Sequence, residues 1–341
     1  MRAAVHAGAG EIRLETRPAP VIGAGEILLR VRGCGLCGSD LAKFRGPAPR
    51  PTVLGHEVVG EVFAIGAGVP DLEPGDRVVV AHHVPCGDCH YCRRGSHSMC
   101  GAFRASNLDP GGFAEYVRVP PENVRHATFR VPVGMSDAVA AFTEPLGCCV
   151  RAIRRAKIEA DDTVLVVGLG AMGCLLLQLA MRQGARVVAV DPLPARRALA
   201  ESFGARRAVA PEAMAAALAD ASEGRGADTV VLTAGAPSLV RAAVGWVRDG
   251  GAVHLFVGEG EGPLPLGDLY RRELTLTATY SSSPADLAEA FGLLRSGRVR
   301  VAELCSHRVP LERLAYAVGL MERREALKVF VEMGGDAGRE A

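Results

Sequence analysis

Residues 164–191 read VLVVGLGAMGCLLLQLAMRQGARVVAVD, and no other stretch restricts the fold as tightly. A short apolar run, Val164, Leu165, Val166 and Val167, has the character of a strand buried on both faces. Gly168, Gly170 and Gly173 follow at G-x-G-x-x-G spacing, with Leu169, Ala171 and Met172 between them. The first glycine permits a tight turn, the second lets a pyrophosphate approach the backbone, and the third lets the next helix pack on the strand. Met172, Leu175, Leu176 and Leu179 recur at helical spacing, and Gly184 stands where a left-handed residue would end that helix. A second strand over 186–190 delivers Asp191, an acid about 20 residues beyond the glycines, placed to accept hydrogen bonds from a ribose. In a chain with 41 glycines the spacing alone would mean little; strand, glycines, helix, strand and acid together predict a dinucleotide-binding unit. A carboxylate at 191 repels the extra phosphate of NADP, so NAD is the expected cofactor, with Arg196 and Arg197 close enough to moderate that choice.

The alternation continues beyond Asp191. Helices are expected over 194–203, 212–221 and 238–247, and strands near 208 and over 229–233, 252–257 and 274–278. This gives an α/β fold with a doubly wound parallel sheet of about six strands. The loops after its fourth, fifth and sixth strands carry Thr233-Ala234-Gly235, Val257-Gly258-Glu259 and Thr279-Tyr280-Ser281, so Thr233 and Val257 join the expected cofactor contacts. Pro284 then opens a helix after a serine run.

The first 120 or so residues differ in texture. Short strands over 26–32, 58–65, 77–81 and 114–119, broken by Gly and Pro, describe a small β-rich domain. Cys37-Gly38-Ser39-Asp40 follows the first of these strands and Gly55-His56-Glu57 opens the second. Cys37, His56 and Glu57 offer a thiolate, an imidazole and a carboxylate, a set that holds zinc while leaving one position open. Asp40 is placed to orient His56 from behind. Cys34 and Cys37 also form a C-x-x-C, but among strands rather than at a helix start in a thioredoxin-like unit. Farther on, Cys86, Cys89, Cys92 and Cys100 lie within 15 residues, enough thiolates to close a structural zinc site, with disulfides as the alternative reading and His90 and His97 as spare ligands.

Composition chooses among these readings. With net charge +1 and no basic block, the chain has no footprint for nucleic acid, and no apolar run reaches the 18 residues of a membrane span. The N-terminus lacks a secretory pattern, so a cytoplasmic protein is expected, and there metal binding explains clustered cysteines better than disulfides. Aromatic residues make up 5% of the chain, which favours a hydroxylated substrate over a bulky apolar one.

CGLCGSD, GHEVVGEV, the four-cysteine lobe, GGFAEYVRVP, TEPLGC and VVGLGAMG, in that order, resemble the zinc-dependent medium-chain alcohol dehydrogenases, and within them the sorbitol and polyol dehydrogenase-like branch. The resemblance implies a GroES-like catalytic domain over 1–149 and 283–341, with a zinc lobe at about 84–102, interrupted by a Rossmann domain over 150–282. It makes Cys37 and His56 ligands of a catalytic zinc, with Glu57 or Glu144 completing the set directly or through water, and Ser39 the hydroxyl that takes the substrate proton. The relay histidine usual in that family is absent, since Ala42 stands at its place and Lys43 follows. Two zinc ions and NAD per chain, an alcohol or ketone as substrate, and a homodimer or homotetramer are further implications. The alternatives are a zinc-independent reductase of activated double bonds or quinones on the same fold, and a non-catalytic NAD- and zinc-binding sensor.

Overall fold

The first part of the chain forms strands β1 (Arg2–Gly8), β2 (Glu11–Thr16), β3 (Ile27–Leu36), β4 (Thr52–Val53), β5 (Glu57–Ile65), β6 (Arg77–Ala81), β7 (Tyr116–Val119) and β8 (Thr128–Arg130). The middle forms β9 (Thr163–Val167), β10 (Arg186–Val190), β11 (Arg207–Val209), β12 (Ala227–Leu232), β13 (Val247–Leu255) and β14 (Thr275–Ala278), and the chain closes with β15 (Cys305–Pro310) and β16 (Lys328–Glu332). These assignments come from a computed structural model, which describes residues 1–8, 10–48, 50–235, 237–257 and 262–334. Two units result, one of Met1–Gly147 with the described part of Ser283–Ala341, the other of Cys148–Ser282.

In the first unit a mainly antiparallel sheet runs β15-β16-β3-β5-β6-β8, and β7 pairs with the first half of β3. A smaller sheet runs β2-β1-β4. The N-terminal half of β3 alternates as expected, with Leu29 and Val31 buried and Arg30 and Arg32 exposed. Beyond Arg32 the strand stays buried as far as Leu36, longer than hydrophobic alternation predicts, because β5 and β16 flank it there. Its glycines make room on one face. A Cβ on Gly33 would meet the Phe330 ring at 2.1 Å, and one on Gly35 would meet Glu57 Oε2 at 1.9 Å. Fully buried Leu29, Leu36, Val58 and Val329 lie in the core beneath, each contributing roughly 1.5–3 kcal/mol.

The second unit is the doubly wound sheet. All six strands are parallel in the order β11-β10-β9-β12-β13-β14, so β9 sits at the point where the winding reverses and the loop after it faces the crevice used by nucleotides. Every residue of β9 is buried, as its unbroken apolar run requires. The expected boundaries move most at one place. The helix starting at Pro237 stops at Ala243 rather than 247, and β13 begins at Val247 because Val247 pairs with Ala227 ahead of an irregular stretch that restores register at Ala252. No helix among the described residues is long and apolar enough to cross a membrane.

Candidate functional site

Strand register assembles the first site. Gly35 of β3 lies opposite Glu57 of β5, Glu57 opposite Ala81 of β6, and Leu36 opposite Val329 of β16. One residue further along, Lys328 falls opposite Cys37 and, one row back toward the strand centres, His56 falls opposite His82, all at the same end of the sheet. Cys37, His56 and Glu57 each bring one ligand atom to within 4.8 Å of the others.

Asp40 holds two members of this group. Fully buried in the helix Gly38–Arg45, its Oδ1 lies 3.3 Å from His56 Nδ1 and accepts from Gly55 N at 3.4 Å, while Oδ2 accepts from Cys37 N at 3.1 Å. Placing His56 Nδ1–H on this carboxylate leaves Nε2 as the imidazole's ligand atom. Burial alone would make His56 a weaker base, but Asp40, with Cys37 beside it, outweighs that and lifts its pKa well above the ordinary value. Burial likewise opposes ionisation of Asp40, and His56 overcomes it, holding the carboxyl below its usual range.

Glu57 is fully buried, with the glycine face of Gly35 as its floor. Buried Lys328, 271 residues away in the chain, donates to its Oε1, while Oε2 is buried without a hydrogen-bond partner. Such an oxygen costs about 1–3 kcal/mol unless a cation satisfies it. A thiolate, an imidazole and this half-free carboxylate therefore fit zinc. Burial works against the charge on Lys328, but Glu57 first, and then Cys37 and Glu144, raise its pKa above the ordinary lysine value.

Glu144 lies outside the group of three. It is buried in the first turn of the helix Thr143–Ala156, sharing a crevice with Val79, Val80, Ala81 and Phe129. Ser39 is exposed, two residues after Cys37. On the other side of His56 stand two more imidazoles. The His82 ring centroid is 4.7 Å from that of His56 and 3.8 Å from that of His83, which in turn lies 4.8 Å from Phe103. Burial, with His56, His83 and Lys43 adding to it, keeps the His82 pKa well below the ordinary value. Burial also lowers that of His83 to about 4, against the bond from its Nδ1 to Ser106 O.

The four remaining expected ligands also converge. Cys86, Cys89, Cys92 and Cys100 have their sulfurs within 4.8 Å of one another, with Cys89–Cys92 at 3.5 Å, Cys86–Cys100 at 3.6 Å and Cys86–Cys92 at 4.0 Å. Tetrahedral zinc bonded to sulfur at about 2.3 Å sets its sulfurs about 3.8 Å apart, so the spacing fits a closed site. The Cys86 N–H donates to Cys100 Sγ at 3.4 Å, and Cys92 and Cys100 pack with Phe103.

In the second unit main-chain atoms dominate. Gly168 has φ +96°, a Cβ on Gly173 would lie 1.9 Å from Gly168 O, and one on Gly170 would meet nothing within 4 Å. The turn, the open approach and the close helix packing thus fall on Gly168, Gly170 and Gly173 in that order. Gly170 caps the helix Ala171–Arg182, with Ala171 and Met172 in its first turn. Thr233 braces the turn from beyond β12, its Oγ1 donating to Gly168 O at 2.8 Å, and Leu169 is wholly buried. Asp191 Oδ2 accepts from Leu169 N at 2.8 Å and Oδ1 from Leu193 N at 2.9 Å, and Arg196 Nη1 lies 3.6 Å from Oδ2. Val257 is half-buried past the end of β13, and Gly258 and Glu259 lie outside the described residues.

These features agree with the relatives of the chain. Residues 23–129 match the alcohol dehydrogenase GroES-like domain and residues 171–296 the zinc-binding dehydrogenase domain. The L-galactonate-5-dehydrogenase of Escherichia coli K12 is 31% identical over 93% of this chain and 95% of its own length. The chain belongs to the zinc-binding dehydrogenases. Another relative, the sorbitol dehydrogenase of Halalkalibacterium halodurans, is 30% identical over 95% of this chain and 96% of its own. A Sinorhizobium meliloti 1021 protein solved bound to NADP superposes with a TM-score of 0.86 at 29% identity, covering 97% of this chain and 99% of that one. As a zinc-binding dehydrogenase the chain is an oxidoreductase with a GroES-like domain and a Rossmann-type domain. Three residues at its first site escape the sequence reading: Lys328, legible only as a lone charge heading the apolar run VFV; His82, one of two histidines ending VVVA; and Gly35, which clears space for Glu57.

Proposed function

We propose that this zinc-binding dehydrogenase moves a hydride between a secondary alcohol of the polyol, sugar or cyclitol class and NAD. The observation that carries the reading is the convergence of Cys37, His56 and Glu57 at one sheet end, with a buried Glu57 oxygen lacking any partner. These three residues hold the catalytic zinc, with Glu144 available to it directly or through water, and Cys86, Cys89, Cys92 and Cys100 hold the structural one. When bound, zinc supplies Lewis acidity at the alcohol oxygen and NAD a hydride-accepting carbon.

The chain's own residues orient these partners. Asp40 fixes the tautomer of His56, and Lys328 pins one Glu57 oxygen so that the other is presented alone. Ser39 receives the alcohol proton from its exposed position beside Cys37, and with Ala42 in place of a relay histidine the proton continues to solvent. Gly168, Gly170 and Gly173, with Leu169, Ala171 and Met172 between them, seat the pyrophosphate, and Asp191, Arg196, Thr233 and Val257 complete the cofactor contacts. A relative holds NADP, so membership of the family leaves the nucleotide open; the buried carboxylate of Asp191 supports NAD.

A homodimer or homotetramer in the cytoplasm completes the reading. It is supported by the edge strand β14, which pairs only with β13 among the described residues, and by exposed Leu266, Tyr270 and Tyr280 nearby. The deciding experiment follows NADH formation by zinc-replete protein across polyols, sugars, cyclitols, sugar phosphates and simple alcohols, with zinc counted alongside. Turnover of a polyhydroxylated compound with two zincs per chain is expected. A chain that holds only the four-cysteine zinc would turn the reading to the zinc-independent reductase or the sensor.

A further inference from the structure

Three imidazoles stand in contact at the end of the first unit's sheet, and two have their Nδ1 accounted for. His56 Nδ1 faces the Asp40 carboxylate at 3.3 Å and His83 Nδ1 the Ser106 carbonyl at 2.5 Å. The third does not. His82 Nδ1 is buried and has no hydrogen-bond partner, and neither neighbouring ring is free to turn toward it, each being fixed by the bond just named. Register puts His82 beside His56, because Ala81 pairs with Glu57 in antiparallel strands and the residue after Ala81 meets the residue before Glu57. A ring needed only as an apolar wall carries no nitrogen, and an unsatisfied one weakens the fold. Its presence next to a metal-ligand group is the mark of a polar contact completed by the bound molecule.

We propose that His82 is a specificity residue, its Nδ1 hydrogen-bonding an oxygen of the substrate other than the one that reacts, so that alcohols with a neighbouring hydroxyl are chosen over those without. The inference rests on the reading of the site as an alcohol dehydrogenase, and it narrows the substrate class. The imidazole acts as a neutral partner and changes no charge. Selection arises because an alcohol lacking the second oxygen leaves Nδ1 buried and unpaired, as in the free protein.

The test uses two probes that differ by one hydroxyl, butane-2,3-diol and butan-2-ol, titrated calorimetrically into the zinc-loaded protein with NADH, beside initial rates on each. Wild-type protein is expected to bind the diol about five- to ten-fold more tightly, and His82→Phe to lose that preference while keeping two zincs, NADH affinity and its hold on butan-2-ol. His82→Asn, which restores a polar side chain, should recover part of it. Equal binding of the two probes by wild type overturns the proposal even if His82→Phe fails to fold. So does an equal fall in kcat on both alcohols with KM unchanged, which would place His82 in proton handling instead. If wild type oxidises no alcohol with NAD, the functional reading fails, and the binding ratio still judges His82.

Discussion

In the first unit the groups that matter are side chains gathered from four strands, with Glu57 and Lys328 separated by 271 residues; in the second they are mostly main-chain atoms and one carboxylate, with Leu169 and Asp191 separated by 22. The first group depends chiefly on what each residue is, with Gly35 contributing by what it lacks. The glycine loop depends on what its residues lack, since turn, packing and approach all follow from missing side chains. Loss of a functional group should therefore cripple the first unit, and gain of a single methyl the second.

The largest effect tests the first half of this contrast. Cys37→Ser should lower turnover by about a thousand-fold or more, while metal analysis still finds the four-cysteine zinc and NADH binds as before. Retained activity would remove Cys37 from the site. Next comes Lys328→Met, which strands a buried carboxylate and should cost about 3–5 kcal/mol in urea unfolding, most of it recovered in a Glu57→Gln/Lys328→Met double variant. A cost below about 1 kcal/mol would make the pair ornamental.

The glycines sharpen the other half. Gly173→Ala places a methyl 1.9 Å from Gly168 O and should destabilise the second unit by about 1–3 kcal/mol, whereas Gly170→Ala meets nothing and should leave stability within about 0.5 kcal/mol. NADH affinity should fall in both. Equal stabilities would show that the close approach of helix and strand is not tight.

Acid should find a weakness in the second unit too. His254 is buried between Thr277 Oγ1 at 2.7 Å and Thr279 Oγ1 at 3.1 Å, and burial, with Arg155 adding to it, lowers its pKa to about 4. Its ordinary value is near 6.5, so the unfolded chain binds the extra proton between those limits; stability is full above about pH 6.5 and falls by up to about 3 kcal/mol as pH drops to about 4. Unfolding of His254→Asn measured at pH 7 and pH 4.5 should show a flatter dependence. The smallest effect is on nucleotide choice, where Asp191→Ala should move the NAD to NADP preference about ten-fold toward NADP in initial-rate assays.

The same contrast governs what could be read from the chain before its fold was known. The glycine loop is contiguous, so the run of strand, glycines, helix, strand and acid made the turn at Gly168 and the close packing at Gly173 legible. That Cys37, His56 and Glu57 come together, and the four cysteines likewise, was legible because few other arrangements suit those residue types in such clusters. Lys328, His82 and Gly35 were not, since each acquires its neighbours only through strand register, and a lone lysine, histidine or glycine carries no pattern of its own. The extension of β3 to Leu36 was hidden for a related reason: Gly33 and Gly35 read as a break in a strand, yet they are what lets Phe330 and Glu57 lie against it.

The long reach of Lys328 also sets an order of events while the protein is being made. At about 5–20 residues per second, the 271 residues between Glu57 and Lys328 take roughly 15–50 s to synthesise. Throughout that interval Glu57 lacks the lysine that pairs with it in the finished protein. The final carboxylate geometry therefore waits until β16 docks beside β3 and its lysine claims one oxygen. A nascent chain halted before that strand would carry Glu57 without the buried lysine that completes its surroundings.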